Sequence, residues 1–208
     1  MKRITQFDGL YGESGPRQAA DRPNGEYMFS ELLETRSRTF DWVIQPHIHA
    51  RLFQVFFVET GSVSLSGTTG KRELTAPFVL LIPPTVLHGF VYSPQVMGRI
   101  LTLSDTLVES LFPSMSAVAT MLNAPQCLTT FGESYTSDLV SELIRQVDDE
   151  LFADQPEKQA MLRACLQRLF VVFIDSGNKT KLRRQIPTAR QSIFPAVSAA
   201  CPAGLHHA

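Results

Sequence analysis

The chain is short of sulfur: its 208 residues hold three cysteines, Cys127, Cys165 and Cys201, with no Cys-x-x-Cys pair among them. An odd number at wide spacing excludes a disulfide framework and a zinc ribbon, and reads as reduced thiols with Cys165 in the core. Charge of one sign is missing too, because 19 Lys and Arg stand against 20 Asp and Glu for a formal net charge of −1. Such a balance supplies no broad positive field for a nucleic-acid backbone, so any contact with DNA must be local or come from another segment. Long apolar runs are also absent. FVLLI and LFVVFI fall far short of a membrane span, and the opening MKRITQFDGLYGESGP has no apolar stretch of signal-peptide length. These absences predict a cytoplasmic protein with no membrane partner.

What is present suits one globular domain with an appendage: 44% of residues are apolar and 19% charged. Residues 1–26 are rich in Gly, Pro, Arg and Asp without periodicity and read as an N-terminal arm. In 27–103, short runs of β-branched and aromatic residues follow one another at 27–37, 39–45, 52–59, 62–66, 78–82 and 98–103, separated by Gly, Pro, Ser and Thr. That spacing predicts a barrel or sandwich.

Over 104–177 the apolar period lengthens to the helical value. Ser104 before Asp105 is a candidate N-cap for a segment carrying Leu107, Val108, Leu111 and Phe112, with Pro113 interrupting it. Ser137 can cap a second helix with Val140, Ile144, Val147 and Leu151 on one side, and Pro156 can open a third with Leu162, Leu166, Leu169 and Phe173, ending near Gly177. Joined by a loop over 152–155, the two form an antiparallel hairpin whose stripes either pack on the barrel or pair with a second copy in a homodimer. Residues 178–208 open with the basic cluster Lys179, Lys181, Arg183, Arg184 and Arg190, then pass into an Ala, Pro and Ser-rich tail that reads as a solvated terminus.

The chemistry concentrates in the string PHIHARLFQV. His47 and His49 lie two residues apart, on one face of an extended strand, which is a chelating arrangement. His88 follows the Pro83-Pro84 pair at the end of another apolar run, and if the two strands are neighbours the three imidazoles converge. Aromatic residues flank them, so about half of Trp42, Phe53, Phe56, Phe57, Phe90 and Tyr92 should line an apolar interior suited to a flat small molecule. Arg36, Arg38, Arg51 and Arg99 lie on candidate strands, and one of them turned inward would hold a carboxylate by a bidentate pair.

This pattern resembles the cupin superfamily, whose first motif is His-x-His, a Glu five residues on and a Gly seven beyond it. His47, His49, position 54 and Gly61 match the spacing, with Gln54 in place of Glu; Pro83 and His88 match the second motif, with Thr85 and Pro77 where Gly is usual. The resemblance implies a double-stranded β-helix, or jelly-roll, barrel followed by an α-helical hairpin. Three imidazoles and a carboxylate suit iron, manganese, zinc or nickel, while Gln54 is a neutral, weaker donor that can equally hydrogen-bond an organic ligand. Two readings therefore stay open: satisfied polar residues in a ligand pocket without a cofactor, or a divalent metal on His47, His49, His88 and Gln54.

An arm, a cupin barrel, a helical pair and a basic linker, in that order over residues 27–177, is similar to the sensor half of AraC-type transcription regulators. SELLETRSRTFDWVIQPHIHARLFQVFFVETG and LTAPFVLLIPPTVLHGF are similar to the branch controlling aromatic-acid catabolism, including para-hydroxybenzoate regulators. The resemblance implies an aromatic carboxylate effector, with His47, His49, Gln54, His88, Arg36, Arg38, Trp42, Phe56 and Phe90 as candidate ligand-binding residues. Family members continue into two helix-turn-helix motifs; PTARQSIFPAVSAACPAGLHHA, interrupted by Pro195 and Pro202, lacks the stripe for one. The expectation is a regulator portion lacking its DNA-binding domain. A small metal-dependent cupin enzyme, a dioxygenase or isomerase, is the alternative from a different class.

Overall fold

Strand alternation sorts the apolar residues into two separate cores. In the computed structural model, which describes residues 5–6, 26–68, 70–112 and 116–185, the strands are β1 (Thr5–Gln6), β2 (Met28–Leu32), β3 (Val43–Ile48), β4 (Leu52–Thr60), β5 (Ser62–Gly67), β6 (Gly70–Thr75), β7 (Phe78–Ile82), β8 (His88–Tyr92), β9 (Met97–Ser104) and β10 (Gln126–Leu128). They form two five-stranded sheets in the orders β1-β3-β8-β5-β6 and β10-β7-β4-β9-β2. Neighbours are antiparallel except β1, which pairs parallel with β3, Thr5 opposite His47.

Phe56, Val58, Phe78, Leu80, Ile82, Phe90, Tyr92 and Ile100 fill the space between the sheets, while Phe53, Val55, Phe57, Val79, Leu81, Leu101 and Leu103 point to the other side of the second sheet. Every residue of β7 is buried, because both faces of that strand are covered. The fold is a cupin-type double-stranded β-helix, closed on its outer side by helices.

Those helices are α1 (Leu33–Thr39), α2 (Asp105–Leu111), α3 (Ala117–Leu122), α4 (Ser137–Phe152) and α5 (Lys158–Gln185). Ser104 caps α2 as expected, its Oγ accepting from Leu107 N at 3.2 Å and from Tyr27 N at 2.9 Å. The cap of α4 is Thr136 rather than Ser137, with its Oγ1 accepting from Leu139 N. Val140, Ile144 and Val147 of α4 and Leu166, Leu169 and Phe170 of α5 share one core with the outer face of the second sheet. The stripes are thus consumed within the chain, and the pairing reading cannot rest on them.

The expected strand at 27–37 is corrected. It breaks after Leu32, and Leu33, Arg36 and Ser37 are buried at helical spacing on α1. The run at 39–45 starts late, because Asp41 and Trp42 have φ of 49° and 64°, which no strand accommodates, so β3 begins at Val43. The expected stop near Gly177 is corrected as well: α5 runs on to Gln185, because one interior Gly costs a helix about 1 kcal/mol and a KTKLRRQ segment of mostly good helix formers follows. The boundary between helical region and linker therefore moves from 177 towards 185. Most of the expected arm, and residues 186–208 with Cys201, lie outside the described residues; Cys127 and Cys165 are free thiols.

Candidate functional site

The turn into and out of β4 sets the site. Gly61 follows β4 at φ 85°, and a Cβ there would stand 2.6 Å from Ser93 Oγ, so this motif position needs glycine. At Thr85, where the cupin motif has Gly, φ is 65°: a β-branched residue occupies a left-handed backbone, its N–H donating to His49 O at 2.7 Å. That bend delivers His88 to β8, which pairs with β3 so that His47 and His88 are register partners.

All four predicted polar residues converge, each buried: His47, His49, Gln54 and His88. The three imidazoles place one nitrogen each within 4.8 Å of one another. Thr102, opposite Gln54 in the register and fully buried, joins them on the inner face. It was missed in the sequence because it stands in an apolar run, ILTLS, although its alternation with Leu101 and Leu103 carries the signal.

The proton positions follow from the partners. His47 Nδ1 lies 2.8 Å from Gln45 O and His88 Nδ1 2.8 Å from Val86 O. A carbonyl only accepts, so both Nδ1 atoms donate, and the neutral rings present bare Nε2 lone pairs inward. His49 Nε2, 3.2 Å from His47 Nε2, then donates to it. His88 Nε2 meets Gln54 Oε1 at 3.0 Å, acceptor against acceptor. Turning the amide over, so that its N–H donates, satisfies the contact; a cation between the two atoms satisfies it equally. Backbone carbonyls that fix Nδ1–H while Nε2 faces a common point are the support that metal-bound imidazoles receive, so the donor set fits a divalent ion.

Burial pushes the His88 pKa down to about 3, helped by His47 and His49 and opposed by the Val86 carbonyl. It lowers that of His47 too, against the Gln45 carbonyl, and the Arg36 guanidinium adds to the lowering. The Arg36 charge is thus felt at His47. It sits buried on α1, its Nη1 donating to Glu31 Oε1 at 3.1 Å, and its guanidinium lies 5.2 Å from the Phe40 ring centre. Burial raises the pKa of Glu31, with Arg36 pulling the other way.

Beyond the polar cluster the interior is aromatic. Phe90 lies 4.8 Å from Phe56 and stacks on Tyr92 at 5.3 Å, while His88 is 5.7 Å from Phe90. Trp42 packs half-buried against this core. The other arginines do not join the site. Arg38 is exposed, with its guanidinium 6.0 Å from the Trp42 ring centre, because α1 turns it outward. Arg51 pairs with Asp105 at the surface, and Arg99 points to the helical side and pairs with Asp148 at 2.9 Å.

No family model and no curated protein matches the chain. Among solved structures it is similar to KdgF from Halomonas sp., at 27% identity over 30% of this chain and 58% of that one, with a TM-score of 0.27. It is also similar to ToxT from Vibrio cholerae O395, at 11% identity over 80% of this chain and 58% of that one, with a TM-score of 0.39. ToxT bound to (E)-4-(8-methylnaphthalen-1-yl)but-3-enoic acid gives 12% identity over 76% of this chain and 57% of that one, with a TM-score of 0.40. The chain spans between 54% and 58% of the first three solved structures it matches. No helix among the described residues is long and apolar enough to cross a membrane.

Proposed function

We propose that this chain is the effector-binding and pairing portion of an AraC-type transcription regulator, a binding module rather than an enzyme, whose barrel takes a small aromatic carboxylate. The observation that carries this reading is Arg36, a buried guanidinium held by α1 within charge range of His47. A buried cation whose charge reaches His47, in a barrel that also holds the Phe56, Phe90 and Tyr92 row, matches the two ends of an aromatic acid. Arg36→Met is expected to weaken binding of 4-hydroxybenzoate, measured by titration calorimetry, by about ten-fold or more. No binding by the wild-type chain, or binding that ignores the substitution, sinks the reading.

Pairing in this proposal uses what the barrel leaves uncovered on α5. Met161, Ala164, Arg168 and Val171 are exposed at successive spacings of three, four and three, which is one helix face. The wild-type chain is expected to sediment as a dimer, and the double change Met161→Glu with Val171→Glu as a monomer with unaltered circular dichroism. DNA contact is left to another segment.

The convergent lone pairs of His47, His88 and Gln54 favour a second reading, a metal-dependent cupin enzyme. His47, His88 and, with its proton moved off Nε2, His49 would hold the ion with Gln54 Oε1, and the ion would supply Lewis-acid polarisation of a substrate oxygen. Near-stoichiometric iron, nickel, manganese or zinc in protein purified without added metal supports it. In that case Gln54→Glu, which adds a negative donor, is expected to tighten metal retention against a chelator by about ten-fold or more, and Gln54→Leu to weaken it.

A further inference from the structure

An open cleft of about 540 Å³ lies outside the barrel, where the root of β2 meets α2, the end of α4 and the start of α5. Its walls are apolar: Tyr27, Met28, Leu107, Leu151, Leu162 and Leu166. Among the described residues three charged side chains also line it. Two of them cancel, since Arg163 pairs with Glu26 and donates from Nη1 to Ser110 Oγ at 2.9 Å. The third, Lys158, is half-buried, and among the described residues no carboxylate pairs with its ammonium. Lys158 and Gln159 also open the 28-residue α5, so the positive end of a long helix dipole faces the same space.

An open apolar cleft of this size, with one uncompensated cation among the described residues at its rim, has a definite complement. The volume is ordinary for a small-molecule site. A cationic amphiphile would meet Lys158 as a like charge, and a dianion would find only one counter-charge. A neutral hydrocarbon would fill the walls while leaving the ammonium half-desolvated.

We infer that this cleft is a binding site for an amphipathic monocarboxylate, its apolar body against Leu107, Leu151, Leu162 and Leu166 and its carboxylate on Lys158. The site is separate from the histidine cluster, on the opposite side of the second sheet. Its occupant would touch the first residues of β2 together with both helices of the hairpin, joining the strand that leads into α1 to the element proposed for pairing.

Calorimetric titration of the full chain with decanoate, alongside decanol, tests the inference. The expected result is saturable binding of one decanoate per chain, with decanol weaker by about ten-fold or more because it carries no charge for Lys158. Lys158→Met should weaken decanoate by a similar factor and Lys158→Arg should retain it, while Leu162→Trp, which fills the cleft, should abolish binding. Excess 4-hydroxybenzoate should not displace decanoate, so failure of the barrel reading leaves this result standing. Absence of saturable binding, equal affinity for decanol, indifference to Lys158→Met or displacement by 4-hydroxybenzoate would each overturn it.

Discussion

Gly98→Ala is expected to cost more than about 3 kcal/mol of stability, enough to leave much of the protein unfolded or insoluble. Gly98 lies in β9, opposite the irregular stretch of β4 between Val58 and Thr60, with φ 154°. A Cβ built there would stand 2.0 Å from Phe57 O and 3.1 Å from Val58 Cα. Both are backbone atoms, so no side-chain rotation relieves the clash. Either β4 or β9 must shift, and β4 carries Phe56 into the barrel and Phe57 into the helical core. Gly132→Ala is the matched control: nothing stands within 4 Å of its Cβ position, and a change within about 0.5 kcal/mol is expected. Urea denaturation of both variants checks the contrast, and similar midpoints would contradict it.

A second large effect should appear in acid. In the folded, metal-stripped chain the His88 pKa is pushed down to about 3 from an ordinary 6.5. Between those values the unfolded chain binds a proton that the folded chain refuses, so stability is full above pH 6.5 and falls as the pH drops towards 3. Descent from neutral pH to pH 4 is expected to remove about 3 kcal/mol through this residue alone. His47, whose pKa is lowered in the same direction, adds to the loss. Denaturation midpoints across that range, compared with those of His88→Asn, isolate the contribution; parallel profiles for the two proteins would refute it.

The barrel was legible in the sequence because period-two chemistry marked it. His47 and His49 on one face, Gln54 with Phe56, and the apolar run at Phe78–Ile82 all lie where alternation places them. The second core was legible from a different period, the three-and-four spacing of the stripes on α4 and α5, although their target was left open between barrel and partner. What escaped had weak local signals. Strand β6 buries only Leu74, so its GKRELT sequence shows no apolar alternation. Helix α1 spans seven residues and its N-cap, Leu32, offers no side-chain hydrogen bond, so LETRSRT reads as readily extended. Reading it as a strand also obscured the sorting of its arginines, since a helical turn buries Arg36 and exposes Arg38. Thr85 and Pro77 stand at motif positions where glycine is usual. The chain holds Thr85 at positive φ, and the Ala76-Pro77 peptide bond is cis.

The pairing of β2 with β9 has a bearing on how the chain acquires its structure. Tyr27 N reaches Ser104 Oγ across 77 residues of sequence, and β9 is the partner of both β2 and β4. Until these distant segments meet, α4 and α5 have no sheet on which to lay Val140, Ile144, Leu166 and Leu169. Closing so long a loop before its contacts reward it places the domain among slow folders, on the millisecond-to-second scale. During that interval two helices with bare apolar stripes are exposed to other chains, so aggregation on refolding should originate in the hairpin rather than in the barrel that carries the histidines.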